Sequence, residues 1–320
     1  MKILIIGING FLGHAVAARS TAQGMEVFGL SRSKTPNRQV KGTYLVADRT
    51  SSKAIGEIIN VYNIDVVIDV LAMKLPDTQA LISELDGHIA QYVMLGSSDV
   101  YRNYELLHGL AQGTPTSNSI DEDSALRTTL YTYLKDRHRA AAGSNQYLDE
   151  YDKIPIEELV RTLATDWTIL RLPMIYGPGD KQRRFSWAIG HMVRSDEPLV
   201  MPRVWAEWIT TYGYVENVAE GIALTIGNSR ALKRVFNIGE VAPVNHLEWS
   251  RRIAEVLGWN GDIEISDDPT IEFAQRLSSL DLSVQFQIDS RRIREQLGFY
   301  ETVTITDGLT RTAVDERVRG

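Results

Sequence analysis

Three glycines at intervals of three, Gly7, Gly10 and Gly13, follow directly on the apolar run Ile3-Leu4-Ile5-Ile6, and this constrains the chain more than any other stretch. An unbroken apolar run reads as a strand covered on both faces, and the glycines end it in a sharp turn into a helix. Glycine is needed because the turn adopts dihedrals closed to other residues and because the backbone must lie close to whatever rests on the helix. The unpaired N–H groups at that helix start favour an anion, which in this pattern is the pyrophosphate of a dinucleotide. Gly7, Asn9, Gly10, Phe11, Leu12 and Gly13 are therefore expected to line a dinucleotide cradle.

Beyond the cradle the periodicity alternates. Residues 11–23 have helical spacing, 25–30 and 44–48 read as strands, 52–62 as a helix, 65–73 as an apolar strand, 76–88 as a helix and 91–96 as a fifth strand. Alternation at this spacing gives right-handed crossovers, hence an α/β fold with a Rossmann doubly wound parallel sheet. The second strand ends at Ser31-Arg32, where a carboxylate would grip a ribose 2′-hydroxyl and an arginine suits a 2′-phosphate. NADP is therefore favoured as cofactor, with NAD as the alternative. Regularity fails over 102–146, which reads as an irregular insertion or lid of loop with short helices. It returns with a helix over 152–164, a strand over 167–172 and a turn over 173–180. The expected division is a dinucleotide-binding domain over 1–180 and a smaller, mainly substrate-binding part over 181–320, some segments of which return to the first domain.

Charge narrows the partners. With 34 Lys and Arg against 41 Asp and Glu, the net charge of -7 argues against a general nucleic-acid binder, which needs a basic surface. The chain has no cysteine, and its six histidines have no pair at ligand spacing, so no metal is expected. No basic leader and no apolar run of membrane-spanning length is present, so a cytoplasmic protein without membrane contact is expected.

Several motifs taken together resemble the extended short-chain dehydrogenase/reductases, the family of nucleotide-sugar epimerases and dehydratases. They are the glycine triplet, Asp48 after the third strand, Ser97-Ser98-Asp99-Val100-Tyr101 after the fifth, Leu170 to Asp180, Tyr214 to Ala219, and Phe236-Asn237-Ile238-Gly239. The resemblance implies a Rossmann domain with a small C-terminal substrate domain, an NAD(P)-dependent epimerase, dehydratase or reductase acting on a sugar-like or other hydroxylated small molecule, and a homodimer joined through helices. It also implies that Ser31, Arg32, Asp48, Arg49, Leu71, Ala72, Met73, Lys153, Pro173 and Ile175 lie along the cofactor.

That family's signature is a tyrosine followed four residues later by a lysine. Tyr131 and Lys135 match only superficially. The resemblance points instead to Lys153, which has Glu157 four residues on and Arg171 eighteen on, as the family lysine does. The position four before Lys153 is Asp149, so the tyrosine is missing. With a reference pKa near ~3.9, an aspartate accepts a proton at neutral pH and seldom gives one. Tyr151 is the candidate replacement. Pro155 suits a helix's first turn and its ring would clash with the Tyr151 carbonyl in a continuous helix, while Asp152 is a natural N-cap. A helix starting at Asp152 leaves Tyr151 in the preceding loop, free to enter the site.

Ser97, or next Ser98, aligns with the residue that polarises the substrate oxygen, and Asp99 sits where dehydratases of the family carry an acid. Arg183, Arg184, Trp208 and Tyr101 are candidates for substrate contact, with core packing or a solvated helix start as the alternative. Three functions stay open: the redox-linked enzyme, a dinucleotide-binding sensor, scaffold or RNA-associated factor without catalysis, and a non-redox lyase or isomerase using Asp99, Asp149 or Tyr151 as base.

Overall fold

The computed structural model describes residues 1–33, 41–115, 119–135 and 148–319. The N-terminal part lays down β1 (Lys2–Ile6), α1 (Phe11–Ala22), β2 (Glu26–Ser31), β3 (Thr43–Val46), α2 (Ser52–Tyr62), β4 (Val66–Asp69), α3 (Leu75–Leu85) and β5 (Gln91–Ser97). Strands Asp166–Leu172 and Arg234–Asn237 complete a seven-stranded sheet, all of whose pairings are parallel. From edge to edge the order is Arg234–Asn237, Asp166–Leu172, β5, β4, β1, β2, β3.

β1 lacks polar residues beyond Lys2 because both faces of the sheet are covered. Ile3 and Ile5 point into a core shared with Val16 and Ala17 of α1. Leu4 and Ile6 point into the opposite core, with Ile55 and Ile59 of α2 and Leu81 and Leu85 of α3. Ile3, Leu4 and Ile5 are wholly buried, and each contributes roughly 1.5–3 kcal/mol by leaving water. Because β1 pairs with β4 on one side and β2 on the other, chain progression reverses there. In a doubly wound sheet, that reversal opens a crevice at the carboxyl ends of the strands.

One segment differs from expectation. β4 stops at Asp69 instead of running to 73, because the Asp69 carboxylate accepts the N–H of Leu71 at 2.9 Å and turns the chain. Within the expected insertion, residues 102–107 form a fourth helix, α4 (Arg102–Leu107), whose buried Glu105 accepts the N–H groups of Thr128 and Thr129 at 3.0 and 2.9 Å. Residues 116–118 and 136–147 of that insertion lie outside the described residues.

The C-terminal part adds three two-stranded parallel pairs. Tyr212–Tyr214 lies beside Met174–Tyr176, Ile263–Ser266 beside Leu199–Pro202, and Gln287–Ile288 beside Ser119–Ile120. A third core of Val100, Tyr101, Leu106, Trp208, Val284 and Phe286 fastens the turn after β5 to this part. Among the described residues, no helix is long and apolar enough to cross a membrane.

Candidate active site

The cradle is built from what its residues lack. Gly7 holds φ at 95°, which residues with a Cβ rarely adopt, and a Cβ on Gly13 would stand 2.2 Å from the Gly7 carbonyl oxygen, so a side chain at Gly13 would displace backbone. Gly10 occupies the N-cap of α1 with no side-chain capping bond, and no acidic residue lies in the first turn. The positive end of α1 is thus left to an anion from outside. Asn9 donates to the Ser31 hydroxyl at 2.9 Å, joining the cradle to the end of β2. Next to it Arg32 is exposed. The Asp48 carboxyl lies below the ordinary range because it accepts the Thr50 N–H and hydroxyl, and the Arg32 charge acts in the same direction. Leu71 covers Gly7, Ala72 is wholly buried, and Met73 is half-buried.

The second half of the site is made of side chains drawn from distant elements. The helix Lys153–Arg161 begins where the proline argument places it, with Asp152 as N-cap accepting the Ile154 N–H at 2.9 Å. Tyr151 therefore lies outside the helix, and its hydroxyl donates to Asp99 Oδ2 at 2.9 Å. Ser97 is a further hydrogen-bond partner of that hydroxyl, and the Ser97 Oγ accepts the Asp99 N–H at 3.2 Å. Lys153 donates to the carbonyls of Ala72 and Leu95 at 2.6 and 2.9 Å, and its ammonium lies 5.6 Å from the Tyr151 ring centre. Tyr133 meets Tyr151 edge to face at 5.1 Å.

Burial dominates the electrostatics. It pushes the Asp99 carboxyl up, against the opposing charge of Arg127, and it lowers Lys153 to about 8 against the charges of Asp69 and Asp99. Burial and the Asp99 charge together raise Tyr151 well above an ordinary phenol, so its proton is held. Among the described residues Asp99 Oδ1 is buried without a hydrogen-bond partner. A carboxylate with one satisfied and one open oxygen can take up a proton that a phenol hands over.

Sequence reasoning thus finds Lys153, Tyr151, Ser97 and Asp99, and the structure brings these four together. Glu157 and Arg171, whose spacing singled out Lys153, form a buried two-pronged ion pair at 3.0 and 2.8 Å that packs this helix on the sheet. Ser98 is buried in the short turn Ser98–Val100, and Asp149 is half-buried in the turn before Tyr151. Pro173 is buried at the end of strand Asp166–Leu172, and the Ile175 carbonyl accepts from Arg184 at 2.7 Å.

Other candidates are engaged internally. Arg49, expected along the cofactor, is buried against Asp69 and Thr78, with Nη2 distances of 2.5 and 3.0 Å. Tyr101 is wholly buried, its hydroxyl donating to Asn237 and accepting from Arg171. Arg183 pairs with Glu316 at 2.6 Å and Arg184 with Asp180 at 2.9 Å. Trp208 stacks on His246 and donates to the Val284 carbonyl at 2.9 Å. Each of these groups thus already has a partner within the protein, although Arg49 Nη1 and Arg184 Nε are buried without one of their own among the described residues. Sequence reasoning missed Arg127 and Tyr133, which lie in the segment without periodicity, where spacing carries no signal.

A glycine turn after the first strand of a doubly wound parallel sheet, with Lys153, Ser97, Asp99 and Tyr151 drawn together after the fifth, is the architecture of the Rossmann folds. Residues 3–105 match the model of the NAD dependent epimerase/dehydratase family. A curated relative, the chloroplast stem-loop binding protein of 41 kDa b of Arabidopsis thaliana, is 21% identical over 97% of this chain and 77% of its own length. Solved structures share the fold. UDP-glucose 4-epimerase of Thermotoga maritima, determined with UDP-glucose, has a TM-score of 0.70 at 15% identity, covering 100% of this chain and 99% of its own. UDP-glucuronic acid 4-epimerase of Bacillus cereus, in complex with NAD, has a TM-score of 0.69 at 16% identity over 99% of both chains. The dTDP-glucose 4,6-dehydratase of Bacillus anthracis, also with NAD, has a TM-score of 0.70 at 14% identity, covering 99% of this chain and 97% of its own. The likeness to the NAD dependent epimerase/dehydratase family thus lies in residues 3–105, and the likeness to the solved structures is one of fold.

Proposed function

We propose that the protein is a nicotinamide-dinucleotide enzyme of the epimerase/dehydratase kind that acts on a hydroxylated, sugar-like small molecule, with Tyr151 in place of the missing family tyrosine. The observation that carries this reading is the 2.9 Å bond from the Tyr151 hydroxyl to the buried Asp99, beside Ser97 and above Lys153. The dinucleotide fits the residues present, because Gly13 lets α1 pack directly against the Gly7 carbonyl, where a Cβ would stand 2.2 Å away, and the start of α1 has no capping side chain of its own. Gly7, Gly10, Gly13 and Asn9 would hold it, with Lys153 at its reactive end. When bound, it supplies hydride acceptance and return at a substrate carbon.

The chain's own residues manage the proton. Because Tyr151 keeps its proton, it serves as a relay and not as a standing base. A substrate hydroxyl gives its proton to Tyr151 Oη as the original phenolic proton moves to Asp99 Oδ2, leaving a neutral carboxylic acid; the reverse transfer reprotonates the substrate. Ser97 orients the substrate oxygen, and the Lys153 ammonium stabilises negative charge developing on the phenol. Arg32 at the end of β2 supports the phosphorylated cofactor, NADP, over NAD.

The test is to titrate the protein with NADPH and NADH and then incubate the loaded protein with UDP- and dTDP-hexoses, following product mass and absorbance. Binding of neither dinucleotide would remove this reading. A second reading comes from the name of the curated relative, which describes stem-loop binding. Against it, Arg291, Arg292 and Arg294 are each paired with carboxylates, those of Asp289, Glu122 with Asp123, and Glu301. Salt-sensitive binding of a hairpin RNA in a gel-shift assay would favour it over the enzyme.

A further inference from the structure

Tyr151 stands outside the helix that carries Lys153, so the helix's own hydrogen bonds do not fix where the phenol points. A single buried guanidinium links the two pieces of chain that must meet. Arg127, 3% exposed, donates from Nε to the Asp99 carbonyl at 2.9 Å and from Nη1 and Nη2 to the two Asp152 carboxylate oxygens at 2.9 and 2.6 Å. Its Nη1 also donates to the Thr129 carbonyl, and its backbone N–H donates to Val100 at 2.8 Å. Asp152, besides capping the helix, accepts the Tyr131 N–H at 2.6 Å.

We infer that Arg127 is the positioning residue of this site: its guanidinium spans Asp99 and the Tyr151-Asp152-Lys153 turn, and so sets the Tyr151 phenol on Asp99. The inference rests on the reading of Tyr151 and Asp99 as a proton-transferring pair. The rigid fork of arginine makes the span possible, whereas the single ammonium of lysine reaches one side at a time. The cation also faces Asp99 itself, where its charge opposes the effect of burial. Asp152 and Lys153 are the other charged groups acting on that carboxyl.

The experiment labels the full chain with tyrosine carrying carbon-13 at Cζ and assigns the Tyr151 signal by its loss in Y151F. D99N gives the position of the Tyr151 signal when no carboxylate accepts from it. Arg127→Lys and Asp152→Asn are then compared with the unaltered protein. Both variants are expected to remain folded and to bind dinucleotide within about threefold of the parent, since Arg127 lies outside the cradle, while the Tyr151 signal moves at least halfway to its D99N position or broadens. Should Arg127→Lys not fold, Asp152→Asn, which keeps the cap but loses the charge, carries the same readout. A Tyr151 signal left at its parent position in a folded variant overturns the inference, whatever the change in melting temperature. Failure of the parent to bind either dinucleotide overturns the functional reading instead, and leaves this readout standing.

Discussion

The two halves of the site are made in opposite ways. The cradle is backbone, shaped by the side chains that Gly7 and Gly13 do not have, and its parts lie within seven residues. The cluster around Tyr151 is built on side chains, and its hydrogen bonds join residues far apart, such as Tyr151 to the Asp99 carboxylate across 52 positions and Lys153 to the Ala72 backbone carbonyl across 81. A backbone site fails when an atom is added. A side-chain site fails when one is removed, and it can fail without losing its ligand.

The largest expected effect on dinucleotide binding is in the cradle. Gly13→Ala places a methyl group 2.2 Å from the Gly7 carbonyl, so dinucleotide affinity should fall by at least ~100-fold, about 2.7 kcal/mol, in a fluorescence titration. Retained affinity would mean that dinucleotide binding does not depend on the shape of this turn. Lys153→Met should have the largest effect on turnover. Turnover should drop by roughly 10³-fold or more, within the range for lost acid–base assistance, while the protein stays folded because a desolvated charge is removed.

That variant also sharpens the comparison through pH. Lys153 titrates near 10.5 when unfolded and at about 8 when folded, so between these values the unfolded chain holds more protons. Stability should therefore rise as pH climbs from 8 toward 10.5, by up to about 3 kcal/mol at that site, relative to the Met variant. Urea denaturation of both proteins at pH 7.5 and 9.5 measures the difference, and parallel curves would contradict the burial of a charged lysine.

Tyr151→Phe should lower turnover by roughly 10²-fold or more and stability by only about 1 kcal/mol, the usual share of one hydrogen bond. Asp149→Asn should leave turnover unchanged, and the reverse pattern would transfer the role to Asp149. The smallest change in binding is expected at Arg32. Its replacement by alanine should weaken NADPH binding about tenfold, or 1.4 kcal/mol, and leave NADH binding as it was.

The fold is legible in the sequence because its signals are local. The apolar run of β1 and the glycine triplet each lie within one element and its turn, and a strand buried on both faces cannot hide its composition. The overrun of β4 past Asp69 shows the limit, since a carboxylate that folds back on Leu71 looks the same in sequence as one that continues a strand. In the site, Lys153 is legible through Glu157 and Arg171, and Tyr151 through the stereochemistry of Pro155. Arg127 is not, because a buried ion pair between residues 25 positions apart leaves no periodic trace. Arg183 illustrates the converse, a residue type suited to a phosphate whose partner, Glu316, lies 133 positions away.

The order of strands across the sheet bears on how the protein is made. β1 lies in the interior of the sheet, with β2 and β4 beside it, and both neighbours follow within the next 65 or so residues. A nascent chain leaving the ribosome can therefore assemble five adjacent strands outward from its earliest one before the rest is translated. Strand Asp166–Leu172 then extends β5, and Arg234–Asn237 closes the edge only after a further long excursion. Until it arrives, strand Asp166–Leu172 presents an unpaired edge, and that interval is when the growing protein is most exposed to mispairing with another copy of itself.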